Sequence, residues 1–142
     1  MEVEGTPQQI EGPYFVDDMP NRSDIRSDST NGSLQERIPL RLVLHVYDVN
    51  DTDGDGTGTC VPLKDAKVDV WHSNSQGVYS GVRDAGTAEN DFLRGYQMTD
   101  DNGTVQFSWY EGRAIHIHIK VRDFAQILSQ SFYNIGDYQS IQ

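Results

Sequence analysis

Basic residues, cysteine and long apolar runs are all scarce in this chain of 142 residues. Only 11 Lys and Arg stand against 22 Asp and Glu, a formal charge of −11. With no basic patch to release counterions from a phosphate backbone, a nucleic-acid partner is excluded. A single cysteine, Cys60, cannot close an internal disulfide. No segment approaches the roughly 20 apolar residues of a membrane-spanning helix, so no membrane span is expected. No basic and apolar leader stands at Met1-Glu2-Val3-Glu4, so we expect a chain made without a signal peptide or already trimmed. The compartment stays open, secreted or periplasmic if the chain is a mature form. Internal repeats and a clear helical period are missing as well.

What is present is alternation. Pro39–Val49 carries Leu40, Leu42, Leu44 and Val46 at period two and reads as the first strand, with Tyr47 as a further candidate for burial. Ala66–His72 alternates again, and Phe92–Thr99 and Thr104–Ser108 flank Asp100-Asp101-Asn102-Gly103, a hairpin turn. Residues 1–36 hold turn formers and one apolar island, Ile10–Val16, and read as an extended N-terminal arm tucked against the core. Arg22–Arg26 brings charges expected to pair locally, and Arg83–Asn90 reads as a polar, mobile loop. Asp51–Gly56 opens like a calcium loop, but its twelfth position is Pro62 instead of Glu, so we read a solvated acidic hairpin. Beyond Arg122 the candidate packing residues are Phe124, Ile127, Leu128 and Phe132. Short strands between turns predict an all-β fold. The expected form is a β-sandwich of immunoglobulin- or prealbumin-like Greek-key arrangement over residues 37–142, preceded by the arm.

The chemistry concentrates in Trp109–Val121. Ile115, Ile117 and Ile119 alternate with His116 and His118, which places two imidazoles on one face of a strand and an aliphatic stripe on the other. Two neutral imidazoles side by side can give two cis ligands to a metal. Tyr110 and Arg113 enter from the preceding turn, and Tyr79 sits on a loop beyond the second strand. Tyr79, Tyr110, His116 and His118 together form a donor set in which tyrosinate, a hard anion, suits Fe(III) better than Zn(II) or Cu(I). Tyr79 is equally readable as an exposed aromatic and Arg113 as an ion-pair partner. Trp71, His72 and His45 read as structural.

A family resemblance rests on motifs in order along the chain. They are Glu11-Gly12-Pro13-Tyr14, Arg22-Ser23-Asp24-Ile25, Val68–His72, Gly77–Gly81, Phe92–Gln97, Thr99-Asp100 with Gly103 and Phe107, and Tyr110-x-Gly112-Arg113-x-x-His116-Ile117-His118. Together they resemble the intradiol ring-cleavage dioxygenases, from Ile10 to Val121. The resemblance implies a non-haem Fe(III) enzyme that cleaves catechols between their two hydroxylated carbons with O2, yielding muconate-type dicarboxylates. Tyr79 and His118 would be equatorial ligands, and Tyr110 and His116 axial. Tyr110 would leave the metal and accept a substrate proton. Arg113 would stabilise negative charge developing on the ring, and Ile10 and Pro13 would border the substrate. The expected partners are therefore a catechol and O2, with a homodimer open as the assembly.

Two departures from the family pattern bear on activity. A short segment ending in a Pro-Gly turn is missing before Trp109, so Ser108 runs straight into it. The chain after His118 is also short, so the C-terminal part of the domain reads as abbreviated. The expectation is a His116, His118 and Tyr79 site with Tyr110 displaced. The alternative is a β-sandwich metal-binding or structural module with weak or lost catalysis. An Fe(II) site with two His and one carboxylate is a third option, but no single carboxylate stands out as partner.

Overall fold

A computed structural model describes residues 9–50, 59–113, 116–123 and 137–141. Among these residues every element is a β-strand: β1 (Pro39–His45), β2 (Tyr47–Asn50), β3 (Thr59–Pro62), β4 (Lys67–Trp71), β5 (Arg94–Met98), β6 (Thr104–Tyr110), β7 (Ile117–Arg122) and β8 (Asp137–Ile141). All strand pairs are antiparallel, in the orders β5-β4-β7-β8, β1-β6 and β2-β3. The described residues are thus all-β. The acidic stretch Asp51–Gly56, Ala114 and Ile115, and the tail residues Phe124, Ile127, Leu128 and Phe132 lie outside the described residues. Among the described residues, no helix is long and apolar enough to cross a membrane.

Alternation decides which faces meet. Val68 and Val70 of β4 and Ile117 and Ile119 of β7 point one way and form one core with Val105, Phe107 and Trp109 of β6. Strand β4 is buried on its other face too, where Asp69 and Trp71 are almost fully enclosed.

The expected first strand, Pro39–Val49, is broken in two. At Val46 the backbone changes partner: its N–H donates to the Gly103 carbonyl, and its own carbonyl accepts from Leu63 N–H. Tyr47 is exposed instead of buried. The turn at Asp100–Gly103 forms as its sequence suggests, with Asp100 Oδ1 accepting from the amides of Asn102 and Thr104. It does not close a hairpin, because β5 takes β4 as its partner while β6 pairs with β1. The longer ladder available to β6, Pro39↔Tyr110 through His45↔Thr104, explains that choice.

Residues 20–25 stitch β5 to β6. Tyr96 N–H donates to Pro20 O and Ser108 N–H to Ser23 O, while Ile25 donates to Ser108 O and accepts from Leu93. Ile25 is fully buried, and a side chain at Gly95 would come within 2.9 Å of its Cγ2, so the close approach needs glycine. Arg26 pairs locally with Asp24 at 2.7 Å, as expected. Arg22 reaches much further, donating to the carbonyls of Ser27, Asp91 and Arg94.

Phe107 is 1 % exposed at the centre of this core, whereas Val43 of β1 is 41 % exposed. Phe107→Ala should cost about 3–5 kcal/mol, and Val43→Ala under about 1 kcal/mol. Urea unfolding of the two variants measures the contrast.

Candidate metal centre

The face of β4 and β7 turned away from the core carries Trp71, His118, Lys120 and Arg122. Register places Trp71 directly opposite His118 on one side and Arg94 of β5 on the other. Directly opposed residues share a face, so Arg94, Trp71 and His118 form one row across three strands. The indole of Trp71 stacks on the His118 imidazole at 5.0 Å and 9°. His116, two residues earlier at the entrance to β7, falls on the same side.

Tyr79 comes to this row on the connection between β4 and β5. Asn74 builds the turn before it, accepting at Oδ1 from the amides of Gln76 and Val78. Thr87 Oγ1 donates to the Tyr79 carbonyl at 2.7 Å, and Ser80 is fully buried against Arg94. Residues 83–90 therefore form a tied turn, with Gly81 N–H and Thr87 O also bonded.

Three donor atoms converge. Tyr79 Oη lies 3.2 Å from His118 Nε2 and 3.4 Å from His116 Nε2, and the two Nε2 atoms are 3.2 Å apart. Donors bound at about 2.0–2.1 Å to one ion, at angles near 90–110°, stand roughly 2.9–3.4 Å apart. The triangle fits a metal ion. Burial, with the charges of His116 and Arg94 adding to it, pushes the His118 imidazole down to about 4, so it is neutral and able to bind a cation at pH 7. Burial raises the Tyr79 phenol, so a bound cation is needed to draw off its proton. Among the described residues no group of three or more His, Cys, Asp or Glu side chains could hold a metal ion, and the polar group that meets both imidazoles is the Tyr79 phenol.

Among the described residues Tyr110 does not join this convergence. Strand β6 runs unbroken through it, paired to Pro39. Trp109 faces the core and lies 5.0 Å from His72, while Tyr110, next along the strand, is half-buried and packs against the rim of that core. Its ring meets the Arg26 guanidinium, 5.4 Å from the centroid. Arg113 is exposed and rests on the turn before Tyr79: its N–H donates to Asn74 O, and its Cδ would sit 3.4 Å from a Cβ at Gly77. Pro13 is exposed, and Ile10 is 91 % exposed.

The arm crosses the row between these positions. Glu11 pairs with Lys120 at 2.7 Å and Asp17 with Arg122 at 2.9 Å, while Phe15 lies under the Lys120 ammonium at 3.9 Å. Gly12 passes over His118, and Tyr14 stacks on Tyr79 at 4.5 Å and 22°. Tyr14, Trp71, His72 and Arg94 all touch or adjoin the donor cluster, yet single-sequence pattern assigned them no part in it. Only the three-strand register brings Trp71 and Arg94 beside His118.

His72 is fully buried, edge-on to His116 at 5.2 Å, and its Nε2 accepts the Gly112 N–H at 3.0 Å. Its proton is therefore on Nδ1. A side chain at Gly112 would collide with the Ser73 carbonyl, which fixes glycine at the turn into the histidine strand.

A family model described as "Dioxygenase" matches residues 10–110, a span that contains Tyr79 and Tyr110 and ends before His116. Catechol 1,2-dioxygenase of Acinetobacter baylyi is 36 % identical over 103 residues, 69 % of this chain and 28 % of that protein. Chlorocatechol 1,2-dioxygenase of Cupriavidus pinatubonensis is 28 % identical over 161 positions, covering 95 % of this chain and 57 % of that protein. The structure of an intradiol ring-cleavage dioxygenase from Tetranychus urticae superposes with a TM-score of 0.66 at 30 % identity, over 93 % of this chain and 73 % of that one. The chain belongs to the intradiol ring-cleavage dioxygenase family. It spans between about a quarter and three-fifths of the length of the two curated relatives just described.

Both His72 and His118 are held neutral: burial, with the neighbouring imidazoles, pushes His72 down to about 3, against 6.5 for a free histidine. The unfolded chain therefore binds more protons between these values. Stability of the metal-free protein should be full above pH 6.5 and be lost as pH falls toward about 4 and then 3. Urea midpoints measured against pH should fall in that window, and less steeply in His118→Gln.

Proposed function

We propose that this chain is a non-haem Fe(III) dioxygenase that opens catechols between their two hydroxylated carbons with O2, giving muconate-type dicarboxylates. The observation that carries the reading is the triangle of Tyr79 Oη, His116 Nε2 and His118 Nε2, 3.2–3.4 Å on a side. The names of the relatives, catechol and chlorocatechol 1,2-dioxygenase, support the substrate class. Packing of β6 residues against β4 and β7 in one core supports a two-sheet, Greek-key sandwich over residues 37–142, with residues 1–36 as its arm.

In this reading Tyr79, His116 and His118 hold the ion, with phenolate plus two imidazoles favouring the ferric state. Bound Fe(III) supplies Lewis acidity and an electron sink for a chelating catechol dianion. The chain's own residues do the rest. Trp71 holds the His118 ring in plane, and Tyr14 and Gly12 wall the donor side opposite the sheet. Arg113 offers a fixed positive charge next to the Tyr79 turn for negative charge developing on the ring. Ile10 and Pro13 are the arm positions proposed to border the substrate. Tyr110 is proposed as fourth donor and as the group that accepts a substrate proton at Oη, a role it can fill only after leaving Arg26.

The purified protein should bind about one ferric ion per chain and be red-brown from tyrosinate-to-iron charge transfer, with His118→Ala colourless. Oxygen uptake with catechol should give a product opened between the hydroxyls. Stoichiometric zinc in place of iron, or opening beside the hydroxyls, would overturn the reading.

Turnover should be slow, since a misplacement of about 1 Å in a reacting group can cost a hundredfold. A Pro-Gly-containing segment inserted before Trp109 should raise catechol turnover without changing iron content, and Tyr110→Phe should then abolish the gain. A parent enzyme already at full rate that gains nothing from the insertion would count against the displaced Tyr110.

A further inference from the structure

We propose that Arg94 is a positioning residue for the metal centre, clamping the backbone beside Tyr79 and setting a buried positive charge against that ligand in its anionic, metal-bound form. The inference rests on the ferric-site reading above and adds to it a residue outside the donor set.

Arg94 is 1 % exposed, and its charge lies within the row it forms with Trp71 and His118. Its Nε donates to the Ser80 carbonyl at 3.0 Å and to Ser80 Oγ at 3.1 Å. Ser80 Oγ donates onward to the Phe92 carbonyl at 2.7 Å, so the residue after Tyr79 is locked from two sides. Gly81 follows with φ +69, and a Cβ there would sit 3.6 Å from Arg94 Nε, so the chain turns closely around the guanidinium.

Half of this cation is left unexplained by the fold. Arg94 Nη2 is buried with no hydrogen-bond partner, and among the described residues no carboxylate forms an ion pair with Arg94. The other well-buried guanidinia are compensated: Arg22 by Asp91 and three carbonyls, Arg122 by Asp17 and Asp69. A buried, unpaired charge is costly, and an anion placed beside it offsets that cost. The Ser80 carbonyl and hydroxyl held by Arg94 Nε belong to the residue directly after Tyr79, so the guanidinium is placed beside the loop that carries the phenol. Burial lowers Arg94 itself only to about 10, so it is cationic at pH 7. A phenolate ligand supplies the missing negative charge, so the guanidinium, which already holds Ser80, gains its anionic counterpart when Tyr79 is ionised on a metal.

The test uses Arg94→Lys, which keeps the charge, and Arg94→Gln, which keeps a donor for the Ser80 carbonyl but removes the charge. Each is loaded with ferric ion, and affinity by chelator competition and the charge-transfer band are compared with the unaltered protein. Arg94→Gln should bind ferric ion ~10–100-fold more weakly, the usual range for a supporting residue of a metal site. Its band should move to longer wavelength, because the phenolate orbital is no longer stabilised by the cation. Arg94→Lys should stay close to the unaltered protein in both readouts. A folded Arg94→Gln with unchanged affinity and band overturns the proposal, and so does failure of both variants to fold. A parent protein that takes up no ferric ion sinks the ferric-site reading itself and the proposal with it, a failure visible before any variant is made.

Discussion

The pairing of Trp71 with His118 is the constraint on which the rest of the molecule depends. Strand β7 must present Ile117 and Ile119 to the core, and it can do so only if His118, Lys120 and Arg122 face the other way. A slip of one residue would bury the imidazole among Val68, Val70 and Phe107 and expose the isoleucines. Hydrophobic burial of about 1.5–3 kcal/mol for each such side chain holds the register against that slip. The imidazole face is thus a by-product of core formation. No loop has to be ordered separately to bring His116 and His118 together.

That second face would be unstable if left bare, since Trp71 and the stems of Lys120 and Arg122 are apolar. The arm covers it with complementary chemistry. Phe15 lies beside the indole at 5.2 Å and beneath the two cationic heads, while Glu11 and Asp17 take their charges. Each of these partly screened pairs contributes only about 1 kcal/mol, and each cation over the Phe15 ring about 0.5–2 kcal/mol. Several weak contacts on one short segment suffice because they act together, and they end at Gly12 and Tyr14, directly over His118 and Tyr79. Tethering the arm and walling the donor cluster are one event.

Much of this was legible in the sequence because it follows from period two. Alternation at Ile115–Val121 announced an imidazole face, and the runs at 39–49, 66–72, 92–99 and 104–108 announced strands in an all-β chain. Pairing was not legible. Asp100–Gly103 looks like a hairpin because the local turn chemistry is the same whether the flanking strands join each other or separate into different sheets. The break at Val46 leaves no trace in hydrophobicity, since it is a change of backbone partner. Long-range roles were hidden for the same reason: nothing near Arg22, His72 or Arg94 in the sequence says what will lie beside them after folding. His72 reads as structural in the sequence, and it is buried, but it also joins the Gly112 turn to the edge of His116.

The two tyrosines show how local geometry decides which phenol meets the two imidazoles. Tyr79 sits where the backbone is free to turn: Asn74 closes a loop before it, Gly77 takes φ +81, Gly81 takes φ +69, and Ser80 is anchored between Arg94 and Phe92. The phenol can therefore be aimed independently of any strand. Tyr110 has no such freedom. With Ser108 joined directly to Trp109, the ladder to β1 extends through Pro39↔Tyr110, and alternation assigns Trp109 to the core and Tyr110 to the Arg26 side. The alignment of 161 positions against a chain of 142 residues implies residues in that relative without a counterpart here. Extra residues before the Trp-Tyr pair would end the ladder early and release the tyrosine from strand parity. In this chain the ladder sets the direction of Tyr110, because each added antiparallel pair is gained at once in folding and needs no bound group to hold it.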